Sequence, residues 1–267
     1  VDGRAPGGWH DPRTAGRSHG ERAVAGSIRI AMWSGPRNIS TAMMRAWENR
    51  ADCAVMDEPF YGVYLAATGL DHPMRAEILA AMPTGWEAVA RRCATASWAP
   101  VVYQKHMCQH MLDGAPLGWM AACRHAFLIR PPEEVAPSLR RGWPGMRAGD
   151  LGFRRQAELF ERVAAASGAR PPVVEARDVL HDPEGMLRAL CGALGVPFDP
   201  AMLAWPAGRR ASDGVWAAHW YKAVEASTGF GPPSAPAPVP EDLRPVVEAC
   251  RPYYERLARH ALRLRPG

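Results

Sequence analysis

The chain of 267 residues has no long apolar run. None of its apolar stretches approaches the roughly 18–20 uncharged residues of a membrane-spanning helix, so a transmembrane helix is excluded. No large excess of one charge is present either. Thirty-two Lys and Arg face 27 Asp and Glu, a formal net charge of +5. This mild basic balance suits an anionic ligand such as a nucleotide phosphate. It is too diffuse for a nucleic-acid partner, which needs basic residues gathered on one face. The six cysteines (Cys53, Cys93, Cys108, Cys123, Cys191 and Cys250) form no CxxC pair and no zinc-like pair of pairs. Most sit in apolar stretches, where a free cysteine acts as a small hydrophobe, and this usage points to a reducing, cytoplasmic compartment. The 25 Gly and 26 Pro lack collagen periodicity, and there is no internal repeat. Residues 1–26 lack the central apolar segment of a secretory signal and are expected to form a disordered N-terminal extension. What remains is 48% hydrophobic and 22% charged, the balance of a globular protein with ample room for a core.

Strands are predicted over 27–33, 53–57, 100–105, 125–130 and 171–176. Helices are predicted over 40–49, 72–82, 84–97, 133–141, 152–166 and 183–194. Strands alternate with helices, and most strands are continuous apolar runs. That pattern belongs to a three-layer α/β fold with a central parallel sheet flanked by helices. After Leu194 the pattern weakens. Residues 231–240 read as a Pro-rich linker, and 241–264 as a helical stretch kinked or broken at Pro252. The expected organisation is thus an extension over 1–26, an α/β domain over 27–230, a linker over 231–240, and a helical segment over 241–267 that packs on the same domain.

Parallel sheets bind ligands beyond the carboxyl ends of their strands. The loop after the first strand, Gly35-Pro36-Arg37-Asn38-Ile39-Ser40-Thr41, opens a helix. Free backbone N–H groups there point at an anion. Gly35 lets the backbone approach the ligand, Arg37 offers a planar fork to phosphate oxygens, and Ser40 and Thr41 supply hydroxyls. GxxxxGK[ST] is absent, so this is no Walker A loop. An ordinary turn with a solvated Arg fits the same residues. Further along, Arg130 closes a strand and Ser138 follows eight residues later in a helix, so both can converge on one phosphate. Glu58 ends the second strand beside aromatic residues, where desolvation would raise its pKa; it equally suits a turn cap or an ion pair. Lys105 and His106 end the third strand, with His110 four residues on. The two histidines are at metal-ligand spacing, but no third ligand is evident and no metal is expected.

The two anion motifs together resemble the sulfotransferase family, as a bacterial-type member with a P-loop NTPase-like fold. The first loop resembles that family's P-[RK]-S-G-[ST]-T pattern, with Asn38-Ile39 where Ser-Gly is usual. Arg130 and Ser138 match its second motif, and residues 175–198 match its later strand–helix unit, so the resemblance extends over about 28–198. It implies 3′-phosphoadenosine 5′-phosphosulfate as co-substrate. Gly35, Pro36, Arg37, Asn38, Ser40 and Thr41 would hold the 5′-phosphosulfate, and Arg130 and Ser138 the 3′-phosphate. It further implies Glu58 as the base that deprotonates a small-molecule acceptor, with His106 as the competing base and Lys105 neutralising charge. The adenine-stacking Tyr of many members is replaced by Ala176, leaving adenine to an aromatic of 205–221, with Arg209 or Arg210 reaching the 3′-phosphate. The alternatives are a P-loop small-molecule or nucleoside kinase, or a non-catalytic nucleotide-binding protein on the same fold. Neither the acceptor nor the oligomeric state is written in the sequence.

Overall fold

The computed structural model of the protein describes residues 24–233, 235 and 238–264. Of the expected N-terminal extension, residues 1–23 lie outside the described residues. Val24 donates its N–H to the Ser97 carbonyl at 2.9 Å. The core is a five-stranded sheet of β1 (Ile28–Ser34), β2 (Cys53–Asp57), β3 (Val101–Met107), β4 (Arg124–Ile129) and β5 (Val173–Glu175). All pairings are parallel, in the order β2-β3-β1-β4-β5. The helices are α1 (Ser40–Glu48), α2 (Tyr61–Thr68), α3 (Arg75–Ala81), α4 (Trp86–Thr95), α5 (Pro132–Gly142), α6 (Phe153–Ser167), α7 (Ala176–His181), α8 (Pro183–Ala193), the one-turn α9 (Ala217–Trp220) and α10 (Lys222–Glu225), and α11 (Arg244–Ala258). The predicted three-layer α/β architecture is present. Helices α2, α7, α9 and α10 were not foreseen.

Side chains on a strand alternate between faces, and this period sorts the sheet into two cores. Ile30, Met32, Val55, Val101, Tyr103 and Leu128 face one side, covered by α1, α7, α8 and the Trp-rich stretch around Trp205 and Trp216. Ala31, Trp33, Met56, Val102 and Phe127 face the other, covered by α4, α6 and Leu257 of α11. Of the two outcomes expected at Pro252, a kink or a break, the break is absent: helix α11 continues through it. Buried Val247, Cys250 and Leu257 on either side of the proline hold the helix by tertiary packing, which outweighs the lost donor. Within the linker expected over 231–240, residues 234, 236 and 237 lie outside the described residues, and the remainder has no regular secondary structure.

Candidate active site

A cavity of about 380 Å³ opens at the carboxyl ends of β1, β3 and β4. One wall is the loop between β1 and α1. Arg37 (φ 57°) and Ile39 (φ 44°) are left-handed on either side of Asn38. Such alternation turns successive N–H groups to one side, the concave arrangement that binds anions. It strains a β-branched residue by about 1–2 kcal/mol. Ile39 thus takes the backbone form that glycine takes freely, at the position where the sequence pattern has glycine. Asn38 turns inward and donates Nδ2–H to the Leu128 carbonyl at 2.7 Å, while its buried Oδ1 has no partner. Pro36, Arg37, Asn38, Ile39, Ser40 and Thr41 all line the cavity. Gly35 does not contribute as expected. A Cβ there would lie 2.6 Å from the Leu151 carbonyl oxygen, so the glycine admits another stretch of backbone rather than a ligand.

The second wall is the turn from β4 into α5. Arg37 donates Nε–H to Ser138 Oγ at 3.0 Å, and Arg130 donates Nη1–H to the Arg37 carbonyl at 2.9 Å. The two motifs, about a hundred residues apart in sequence, therefore meet at one spot. Glu134 orients Arg130 through Nε at 2.8 Å and is itself held by Arg177 at 2.8 Å. Burial lowers the pKa of Arg37, and repulsion from Arg141 and Arg130 adds to the effect. Three guanidinium groups are crowded here, and Arg37 has no carboxylate partner among its described contacts.

Across the cavity, Lys105 Nζ donates to Asp57 Oδ1 at 2.9 Å, to Glu58 Oε1, and to Tyr221 OH at 2.8 Å. Tyr221 in turn donates to the Asp57 carboxylate at 2.8 Å and accepts from Trp216 Nε1 at 3.1 Å. One lysine serves two carboxylates in a buried cluster. Burial raises the pKa of Glu58, and the neighbouring charge of Asp57 adds to this against the opposing pull of Lys105. For Lys105, burial acts downward but Asp57 and Glu58 outweigh it and raise the pKa. Glu58 is the carboxylate of the pair that lines the cavity, and it sits at φ 42°, a strained position for a side-chain-bearing residue. Its proton affinity is raised at an open site, the property a general base needs.

The sulfotransferase-domain family profile matches residues 28–261. The chain belongs to the sulfotransferase family. Membership places it among the transferases. Two relatives are the branched-chain-amino-acid aminotransferase-like proteins 1 and 2 of Arabidopsis thaliana. The first is 36% identical over 233 residues, covering 86% of this chain and 42% of that protein. The second is 34% identical over 236 residues, covering 86% and 41%. The chain thus spans about two fifths of the length of the curated relatives it matches. A solved sulfotransferase from Alicyclobacillus acidocaldarius shares the fold with a TM-score of 0.50 at 13% identity, over 88% of this chain and 97% of that one.

Several sequence expectations for this sulfotransferase chain meet a different placement. His106 is not at the cavity. The two-residue period that brings Lys105 to the cleft sends His106 to the opposite face. There it stacks on Trp33 at 4.6 Å beside Trp119, with Nε2 on Gln104 Oε1 at 3.0 Å. Burial lowers its pKa to about 3, and an imidazole so placed cannot reach an acceptor. Nor do His106 and His110 lie one helical turn apart, because β3 continues through Met107. His110 does line the cavity, stacked on Tyr61 and Tyr64. Arg209 is exposed and Arg210 donates to the Pro206 carbonyl, so neither faces the cavity. Ala176 is buried in the core. Of the aromatic residues of 205–221, Trp220 and Tyr221 line the cavity, joined by Phe230. The tie of Tyr221 to Lys105 was missed, since it spans 116 residues and has no local signal. The buried pair of Arg45 with Asp213, 2.6 and 2.7 Å across 168 residues, was missed for the same reason.

Proposed function

We propose that this chain transfers a sulfuryl group from 3′-phosphoadenosine 5′-phosphosulfate to the hydroxyl or amine of a small-molecule acceptor in a reducing, cytoplasmic compartment. The reading rests above all on the meeting of Arg37, Ser138 and Arg130 at one end of the cavity, opposite Glu58 and Lys105. The residues present fit that donor. The loop 36–41 and the helix N-terminus suit its 5′-phosphosulfate, Arg130 and Ser138 its 3′-phosphate, and Phe230 its adenine. The crowded guanidinium groups favour an arriving anionic ligand. The six cysteines, all free, fit the compartment.

Bound there, the donor would supply its sulfuryl group to the acceptor's oxygen or nitrogen, the new O–S or N–S bond forming as the S–O bond to the 5′-phosphate breaks. The chain's part is positional and electrostatic. Glu58 accepts the acceptor's proton, Lys105 offsets the charge that remains on the carboxylate pair, and Arg37 stabilises charge developing on the donor side. Calorimetry tests the reading. Adenosine 3′,5′-bisphosphate is expected to bind more tightly than AMP by roughly 10–150-fold, the worth of a charged hydrogen bond of about 1.5–3 kcal/mol. Arg130→Ala is expected to bring the two affinities together. Equal affinity of the intact chain for both nucleotides would overturn the assignment.

A further inference from the structure

The two ends of the cavity differ in kind. Arg37 and Arg130 mark one end. At the other, Tyr61, His72, Trp143 and Trp220 form a continuous aromatic wall. Tyr61 OH and His72 Nδ1 are 2.7 Å apart, and the His72 and Trp143 rings meet edge to face at 4.2 Å. Trp220 is seated against Gly142, where a Cβ would come within 2.7 Å of its ring. The charge at this end is negative. Glu58 and Asp150 line it, with Asp57 behind them; Lys105 is already held by Asp57 and Glu58, and Arg147 is the cation beside Asp150. Asp150 lines the cavity and accepts from the Arg147 backbone N–H at 2.7 Å, while the Arg147 side chain lies outside the lining. Both histidines of this end are neutral. Burial lowers His72 to about 4 and takes His110 well below its ordinary value.

Rings beside surplus carboxylates are the surroundings that hold an organic cation. The ring quadrupole attracts it, and the carboxylates focus the field. An anionic acceptor would meet repulsion from Glu58 and Asp150, with Lys105 already held by Asp57 and Glu58. Resting on the sulfotransferase reading above, we propose that the acceptor is a cationic alcohol, an amino or quaternary-ammonium alcohol. Its ammonium lies on the Tyr61–Trp143–Trp220 wall and its hydroxyl reaches Glu58. The hydroxyl oxygen bonds to sulfur, the S–O bond to the donor's 5′-phosphate breaks, and the hydroxyl proton passes to Glu58. The ammonium also favours the ionised Glu58 that the step requires.

The test compares choline with 3,3-dimethylbutan-1-ol, its uncharged carbon isostere, and with 4-hydroxybenzoate as an anion. Affinity is read by ligand-observed NMR on the full chain with and without adenosine 3′,5′-bisphosphate, and kcat/KM is read with the donor. Choline is expected to exceed its isostere about tenfold in both readouts. Trp143→Leu and Asp150→Asn should each cut that preference several-fold, while Trp143→Phe, which keeps a ring, should retain most of it. Equal or better binding of the isostere, or preference for 4-hydroxybenzoate, would overturn the proposal. So would a choline preference that survives both Trp143→Leu and Asp150→Asn. If the bisphosphate binds and no cation preference appears, this proposal alone fails. If the bisphosphate does not bind, the sulfotransferase reading fails, and the acceptor role with it.

Discussion

At the scale of single residues, β3 decides the chemistry. Lys105 and His106 are adjacent, and the pleat sends them to opposite faces of the sheet, so one strand end cannot deliver both to one substrate. Glu58 is then the group with both access and raised proton affinity. Glu58→Gln keeps shape and hydrogen bonding but accepts no proton. It is expected to lower kcat by about 10²–10⁴-fold while nucleotide affinity, read by calorimetry, stays within a few-fold. Stability should move the other way. A buried carboxyl with raised pKa disfavours its ionised form, so at pH 7 the uncharged Gln is expected to leave the melting temperature unchanged or higher. His106→Asn is the converse. It removes a ring from a buried stack and is expected to cost on the order of 2–3 kcal/mol in urea unfolding, with kcat per folded molecule little changed.

At the scale of elements, the stretch from Trp205 to Phe230 closes the site from above. It sends Tyr221 down to Lys105 and Asp57, and Asp213 to Arg45 on α1. Both side chains of the Arg45–Asp213 pair are fully buried. Asp213→Asn would leave a buried guanidinium underpaired and is expected to destabilise the fold by about 3–5 kcal/mol in denaturant titration. The five strands and most helices were legible in the sequence because apolar runs and helical periodicity are local properties. Helix α2 was hidden, because Tyr61–Thr68 is apolar nearly all round and shows no helical stripe. The loop 35–41 and the Arg130/Ser138 spacing were legible because each motif lies within one turn of chain. Trp143, Asp150 and the tie of Tyr221 to Lys105 were not, because what places them is tertiary contact between distant elements. The same holds for Gly35, whose reason is the Leu151 carbonyl rather than a ligand.

At the scale of the molecule, the strand order sets β1 between β3 and β4. The loops after these strands therefore face one cleft, with guanidinium groups from the β1 and β4 side and carboxylates from the β2 and β3 side. The remaining edge, β5, is covered by α11. Tyr254 of that helix donates to Glu175 Oε2 at 2.8 Å, at the end of β5. Burial raises Glu175 to about 7, against the Tyr254 hydrogen bond that favours its ionised form, with Asp178 and Glu134 adding to the rise. Below the ordinary carboxyl range, folded and unfolded chains both hold the proton and the group contributes nothing. Between that range and about pH 7, the unfolded chain releases its proton while the folded chain keeps it, so stability falls as pH rises. Above about pH 7 the penalty is complete. Glu175→Gln keeps an acceptor for Tyr254 and removes the titration. It is expected to match the parent chain in thermal stability near pH 4 and to exceed it by about 1–3 kcal/mol at pH 8. Parallel stability–pH curves for the two proteins would show that the β5–α11 junction is not where the molecule feels pH.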